Sequence, residues 1–192
     1  MPRPKTLSDA DVLATAYRLV HAHGPDALTF ASVAEACGLS ASTLVQRFGS
    51  KAGLVRSALL HAWDGLDAKT ARLAAAVPKS PEGAIGLLVE LSRDYGGIES
   101  YAEGLLVLRE DLRDPALRVR GRAWKDALSG ALEDCFAKVP QAPEGIGLLI
   151  AAQWQGSLLW WSFDPRGKVE SFVEDGLRRF VAALVRPGPS GS

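Results

Sequence analysis

The sequence has few of the residues that catalytic and metal sites require. Its 192 residues include two cysteines and three histidines. His21, His23 and His61 all lie in the first third, and the first two are two positions apart, so they do not share a helix face. No Cys/His cluster, phosphate-cradling glycine loop or serine with an evident base partner can be found in the sequence. The sequence therefore predicts no catalytic residue, no metal and no cofactor, and we interpret the protein as a non-enzyme.

Strand-like alternation and membrane-length apolar runs are also missing. The most apolar stretch, Ile146–Phe163, is interrupted by Gln153 and Gln155 and is short for a membrane span. Cys37 and Cys135 lack metal-like spacing and each lies on an apolar helical face, which is typical of reduced core cysteines. No signal segment is evident at the N-terminus. These features predict an all-α, cytoplasmic protein with no membrane partner.

The net charge gives no indication of a partner, because 22 basic residues balance 22 acidic ones. The distribution is more informative. No acidic residue occurs between Glu35 and Asp64, and a local excess of positive charge is sufficient to contact phosphates. The basic residues in that interval and in the preceding N-terminal arm are Arg47, Lys51, Arg56, Arg3 and Lys5.

Two short helices joined by a tight turn are predicted between residues 29 and 51. Thr29 is a candidate N-cap for the first helix, and Gly38 ends it, since glycine tolerates the left-handed conformation just past a helix end. Ser40 is a second N-cap, and Leu44 lies on the inward face of the helix that follows. This is the pattern of a helix-turn-helix unit, whose second helix enters the DNA major groove.

The segment GLSASTLVQRFGSKAGL resembles the helix-turn-helix signature of the tetracycline-repressor (TetR) family. Val45 and Arg47 depart from it, because the family usually has Tyr and His at these positions. The resemblance implies that Lys51 contacts phosphate. It also implies that Arg47 either makes the phosphate contact that the family usually makes through the Tyr, or reads a base. The matching residues are Gly38, Ser40, Thr43, Leu44, Phe48, Ser50, Lys51 and Leu54.

Nine residues of this unit form the predicted DNA-binding set. Gln46 and Arg47 are expected to carry much of the base preference, because their side chains reach base edges. The small hydroxyl side chains beside them allow close approach to the duplex. The full set is Thr29, Ser40, Ala41, Ser42, Thr43, Val45, Gln46, Arg47 and Lys51.

The rest of the chain has the spacing of helices throughout, giving about nine in all. We predict a helix-turn-helix DNA-binding domain over residues 1–63, a helical ligand-binding and dimerisation domain over 64–186, and a disordered tail over 187–192. TetR-like proteins pair their last two long helices with the same two of a second subunit. The same arrangement here predicts a homodimer interface that includes Leu158, Trp161, Phe172, Val173, Gly176 and Phe180. A contact inside a single helical bundle is the alternative.

Aromatic residues with a few polar groups among them predict an effector pocket for a small, largely apolar molecule. The alternative is that these aromatics are core or interface residues. The predicted lining is Tyr95, Tyr101, Trp124, Gln153 and Trp154.

The resemblance implies a ligand-responsive regulator that binds a palindromic operator in double-stranded DNA, most simply as a repressor. The alternative is an all-helical interaction module without DNA binding.

Overall fold

The computed structural model describes residues 7–140 and 142–185, and every regular element within them is helical. The predicted all-α class is confirmed, and the nine α-helices of the described residues agree with the predicted number. The predicted N-terminal arm with Arg3 and Lys5 and the predicted tail over 187–192 lie outside the described residues.

Most helix ends coincide with the caps and breakers expected from the sequence. The eighth helix begins at Ile146, directly after Gly145, whose φ of +73° is left-handed. A 3₁₀ turn, Arg93–Tyr95, follows the fifth helix. In chain order the α-helices are α1 (Asp9–His23), α2 (Phe30–Cys37), α3 (Ala41–Phe48), α4 (Lys51–Ala76), α5 (Pro81–Ser92), α6 (Ile98–Arg113), α7 (Pro115–Phe136), α8 (Ile146–Phe163) and α9 (Val169–Leu184).

The chain forms two compact units. One contains the residues up to Leu66 together with Ala102–Gly121, and the other contains Asp67–Tyr101 and the residues from Arg122 onward. Residues 102–121 thus pack with the N-terminal helices, so a single boundary after residue 63 does not separate the two compact units. The functional assignment of residues 1–63 and 64–186 stays a prediction.

The first unit is built on a single apolar core. α1 contributes residues four apart, as expected for one face of a helix. The segment 102–121 contributes Val107 and Leu117. The buried members are Val12, Ala16, Val20, Leu28, Val33, Ala34, Leu44, Leu54, Ala58, Leu59, Val107 and Leu117. This core fixes the short helices α2 and α3, which are too short to be stable alone.

A half-buried carboxyl group lies beside this core. The Trp63 indole Nε1 donates to Asp111 Oδ1 at 3.1 Å. Burial raises the pKa of Asp111 to about 6, the Trp63 hydrogen bond opposes that rise, and the charge of Glu110 adds to it. The folded state therefore binds more protons than the unfolded state between about pH 4 and pH 6.

We expect Asp111→Asn to remove this pH dependence. The free energy of unfolding of the wild type should fall as pH rises through the window from 4 to 6, by less than about 3 kcal/mol. The asparagine variant should match the wild type near pH 4 and exceed it at pH 7.5, since its amide oxygen still accepts from Trp63. Urea titrations at several pH values measure this difference.

Asp114 provides a control whose contribution to stability should depend on pH in the opposite direction. Its hydrogen bond from Arg56 is the largest of the influences that lower the pKa of Asp114. Its contribution to stability is therefore present at neutral pH and is lost as pH falls through its folded-state pKa, so Asp114→Asn should reduce stability at pH 7.5. Equal pH profiles for the wild type and Asp111→Asn would contradict the assignment.

The second unit packs α9 against both α5 and α8. The Trp154 Nε1 donates to Ser92 Oγ at 2.8 Å, and Ser92 Oγ donates to the Leu88 carbonyl at 2.7 Å, so the buried indole is satisfied. The start of α8 approaches α7 closely at Gly147, whose amide donates to Glu133 Oε2 at 2.6 Å. A Cβ placed on Gly147 would lie 2.0 Å from the Ser129 carbonyl oxygen, so this approach requires glycine.

Candidate DNA-binding and ligand sites

The helix-turn-helix has the caps that the sequence predicts. Thr29 Oγ1 accepts from the Ser32 amide at 3.0 Å at the start of α2. Gly38 ends α2 with a φ of +63°. Ser40 Oγ accepts from the Thr43 amide at 3.1 Å at the start of α3. These contacts satisfy free amide groups at both helix starts and fix the direction in which α3 leaves the turn.

One face of α3 is anchored and the opposite face is exposed. Leu44 is 0% exposed in the core of the first unit. The exposed positions recur at the spacing of adjacent helical turns and form one continuous surface. They are Ala41, Ser42, Val45 and Gln46. This surface offers a hydroxyl, a branched apolar group and an amide, which are suitable for major-groove contacts.

Arg47 does not belong to that exposed surface. Its Nη1 donates to the Leu7 carbonyl at 2.9 Å and lies 3.3 Å from Asp9 Oδ1, and its side chain is 21% exposed. The first-turn carboxylate of α1 attracts the guanidinium away from the face that Gln46 occupies. The geometry favours a contact of Arg47 between α3 and the start of α1, and the base or phosphate contact expected from the sequence stays a prediction.

Lys51 is the first residue of α4 and is exposed. Its Nζ donates to the Asp26 carbonyl at 2.7 Å, which orients the side chain and leaves two of the three ammonium hydrogens available. The start of a helix also favours an anion, because its free amide groups carry partial positive charge. Lys51 is therefore suited to a phosphate contact.

Lys51→Ala is expected to weaken binding to all DNA sequences by a similar factor. Removing one phosphate contact should lower the slope of log K against log salt by about 0.9 per contact. Titrations of specific and random duplexes at several salt concentrations measure this, and Lys125→Ala in the second unit is the matched control. A changed base preference with an unchanged slope would contradict the assignment.

Gln46→Ala should relax selectivity at one symmetric pair of operator positions, by about 1–3 kcal/mol if the amide makes a bidentate base contact. Arg47→Ala should leave base preference unchanged and lower the stability of the first unit, because its partners are Leu7 and Asp9. Selection of binding sites with each variant separates the two effects. Loss of base preference in Arg47→Ala, with base preference kept in Gln46→Ala, would contradict both assignments.

Four of the five residues predicted to line a pocket come together in the second unit. The ring centroids of Tyr95 and Tyr101 are 5.7 Å apart, those of Tyr95 and Trp154 are 6.2 Å apart, and those of Trp124 and Trp154 are 6.3 Å apart. Trp124 Nε1 donates to the buried Thr70 hydroxyl at 2.9 Å. The cluster is packed and its indole groups are hydrogen-bonded, so its role in an effector pocket stays a prediction.

Gln153 is separated from that cluster. It lines a groove between α8 and α9 together with Ser157, Trp160, Phe172 and other residues of that surface. Its Nε2 donates to Ser157 Oγ at 3.4 Å, and Ser157 Oγ donates to the Gln153 carbonyl at 2.9 Å. The groove places Gln153 with the residues predicted for the dimer interface.

The predicted interface residues fall into two groups. Leu158, Val173 and Trp161 are buried within the single chain and belong to its core. Phe172, Gly176 and Phe180 line the groove.

Trp160, which also lines the groove, is 69% exposed, and its ring lies 5.9 Å from that of the exposed Phe163. Neither Trp160 nor Phe163 was predicted to belong to the dimer interface, although their position at the end of a largely apolar helix was visible in the sequence.

Comparison with known proteins identifies the first unit. Residues 12–58 match the model of the family described as bacterial regulatory proteins, tetR family. The match runs from α1 through the helix-turn-helix into α4, the segment that carries the exposed α3 surface and Lys51. Residues 12–58 therefore have the sequence pattern of the DNA-binding segment of TetR-family regulators. The match supports a role of this segment in DNA-binding transcriptional regulation.

Solved structures show that the TetR fold extends over nearly the whole chain. The TetR family transcriptional regulator PfmR from Thermus thermophilus has 20% identity and a TM-score of 0.61 over 92% of this chain and 98% of its own. A Saccharomonospora viridis protein in complex with choline has 20% identity and a TM-score of 0.69 over 88% and 93%. AibR in complex with isovaleryl coenzyme A and operator DNA has 18% identity and a TM-score of 0.64 over 92% and 97%. No curated protein matches the sequence.

Across residues 7–140 and 142–185, no group of three or more His, Cys, Asp or Glu residues is arranged to hold a metal ion. Within the same residues, none of the helices has the length and apolar character needed to cross a membrane.

Proposed function

We propose that the protein is a homodimeric repressor that leaves a palindromic operator when a small, largely apolar effector binds. The observation that carries the proposal is the exposed surface of α3. Leu44 anchors this helix in the core while Ser42, Val45 and Gln46 point outward, so a rigid element presents groups that distinguish bases.

Dimerisation would supply a second α3 helix for the other half-site of the operator. The exposed Trp160 of α8 and the exposed Phe172 of α9 line the groove that contains Gly176, and the ring of the exposed Phe163 lies near that of Trp160. Large exposed aromatics of this kind are typical of protein interfaces. Two copies joined here would carry two α3 helices, which read half-sites about 34–36 Å apart in successive major grooves.

The effector is proposed to bind near the aromatic cluster of Tyr95, Tyr101, Trp124 and Trp154. Aromatic faces favour flat or apolar molecules and also organic cations. Two proteins of this fold were solved with small molecules, one with choline and one with isovaleryl coenzyme A. Effector and operator would be thermodynamically linked, so each would weaken binding of the other by the same factor.

Selection of binding sites from random duplex DNA tests the proposal directly. We expect enrichment of a palindrome with half-sites about one helical turn apart, bound by a dimer. The selected duplex then serves to screen acyl thioesters and quaternary ammonium compounds for release of the protein. Failure to enrich any sequence at low salt would contradict the DNA-binding part of the proposal and favour the interaction-module alternative. Enrichment of a single half-site bound by a monomer would contradict the dimer.

A further inference from the structure

Helix α4 is joined to the segment 102–121 by three side-chain hydrogen bonds, which we call the α4 clamp. All three lie within the first unit and link residues that are 48 to 58 positions apart in the sequence. The bonds run from Arg56 Nε to Asp114 Oδ2 at 2.6 Å, from Trp63 Nε1 to Asp111 Oδ1 at 3.1 Å, and from Arg120 Nη2 to Asp64 Oδ1 at 2.6 Å.

Apolar contacts support the same attachment. Val107 and Leu117 belong to the core that also holds Leu44 of α3. A Cβ placed on Gly121 would lie 3.4 Å from the ring of Trp63, so this ring packs directly on the start of α7. The end of α6 and the start of α7 therefore share one core with the recognition helix.

The clamp residues of α4 lie on one side of the helix. Trp63 and Asp64 are seven and eight positions after Arg56, which is close to two helical turns. Lys51 starts the same continuous helix, five residues before Arg56 and thus about 7.5 Å away along the axis. Any shift of α4 at the clamp is therefore transmitted to the predicted phosphate contact.

We infer that Arg56, Trp63, Asp64, Asp111, Asp114 and Arg120 position α4 for operator binding, so that residues 102–121 are a working part of the DNA-reading unit. The inference rests on the proposed operator binding. None of the three acidic residues is in the predicted DNA-binding set. Isolated ion pairs on a surface contribute little to stability, so the role of the clamp is positional and its test is DNA binding and not melting temperature.

The double variant Asp64→Ala with Asp114→Asn tests the clamp. Asp114 Oδ1 also accepts from the Ala116 amide at 2.8 Å at the start of α7, and asparagine preserves this cap while losing the charge that pairs with Arg56. Removing two negative charges should by itself strengthen binding to any DNA. Loss of positioning should instead lower affinity for the selected operator by about 3- to 30-fold while affinity for random DNA stays equal or rises.

Exchanging the charges of Asp64 and Arg120 tests whether a lost preference for the operator can be restored. Asp64→Arg alone should lower the ratio of operator affinity to random-DNA affinity, and Asp64→Arg with Arg120→Asp should restore it, because the pair is rebuilt with reversed sign. Glu174→Gln, which breaks the Arg178 to Glu174 pair of the second unit, is the control and should leave the ratio unchanged.

The wild-type titration separates this inference from the proposed function. If the wild type shows no preference for any selected duplex, the proposed function fails. If the wild type prefers its operator and both clamp variants keep the wild-type ratio, only the clamp inference is overturned. Restoration in the exchanged pair together with a reduced ratio in Asp64→Arg supports it, and a reduced ratio without restoration overturns the pairing as its cause.

Discussion

Replacing Trp160 and Phe172 together by glutamate is expected to yield a folded monomer with greatly weakened operator binding. Both side chains are exposed in the single chain, at 69% and 39%, so their replacement should leave its core intact. In a dimer the charges would be placed among the aromatic side chains of the groove, whose one cationic lining residue, Arg179, cannot neutralise both carboxylates introduced in each chain. Loss of the second half-site contact should reduce operator affinity by about 100- to 10,000-fold.

Sedimentation and DNA titration on the same preparation measure the two effects. Val119→Glu is the control, because Val119 is an equally exposed apolar residue of the first unit, at 63%. The control should remain dimeric. A Trp160→Glu, Phe172→Glu protein that stays dimeric and binds its operator like the wild type would eliminate this interface.

Gly147→Ala is expected to destabilise the second unit by about 3 kcal/mol or more, because overpacking against backbone atoms cannot be relieved by rotating a side chain. The added Cβ would meet the Ser129 carbonyl oxygen at 2.0 Å and the Glu133 amide nitrogen at 2.8 Å. The start of α8 would have to separate from α7, which would also break the hydrogen bond from the Gly147 amide to Glu133 Oε2. Urea unfolding measures the loss.

Gly130→Ala on α7 is the matched control. A Cβ at Gly130 would have no neighbour within 4 Å, so alanine should raise the free energy of unfolding by up to about 1 kcal/mol through its higher helix propensity. The two variants make the same chemical change in two helices of the second unit, and they should change the free energy of unfolding in opposite directions. Equal effects would show that the contact at Gly147 does not govern the packing of α7 and α8.

Local features of this chain were predictable from sequence because they depend on neighbours three to four residues apart. The caps at Thr29 and Ser40, the left-handed Gly38 and the inward Leu44 all follow from that spacing, and the structure confirms each of them. Features that depend on distant residues were not predictable. The contacts of Arg47 with Leu7 and Asp9, about 40 residues earlier, do not follow from its position on its own helix.

The second unit illustrates the same limit. A stripe along α9 contains Phe172, Val173, Gly176 and Phe180, but the stripe does not show which edge faces the protein's own core. Val173 is buried against that core, whereas Phe172 remains partly exposed. Periodicity identifies an apolar face, and only the positions of the neighbouring helices divide it between core and free surface.

The exposed indole of Trp160 also allows dimerisation to be followed by tryptophan fluorescence. All five tryptophans lie within the described residues: Trp154 and Trp161 are buried, Trp63 and Trp124 are half-buried, and Trp160 alone is exposed. The excited state of an indole in water relaxes among mobile solvent dipoles and emits at longer wavelength than an indole in an apolar contact. Dilution of the unlabelled protein should therefore shift its emission to the red if Trp160 emerges from an interface, and Trp160→Phe should abolish that shift.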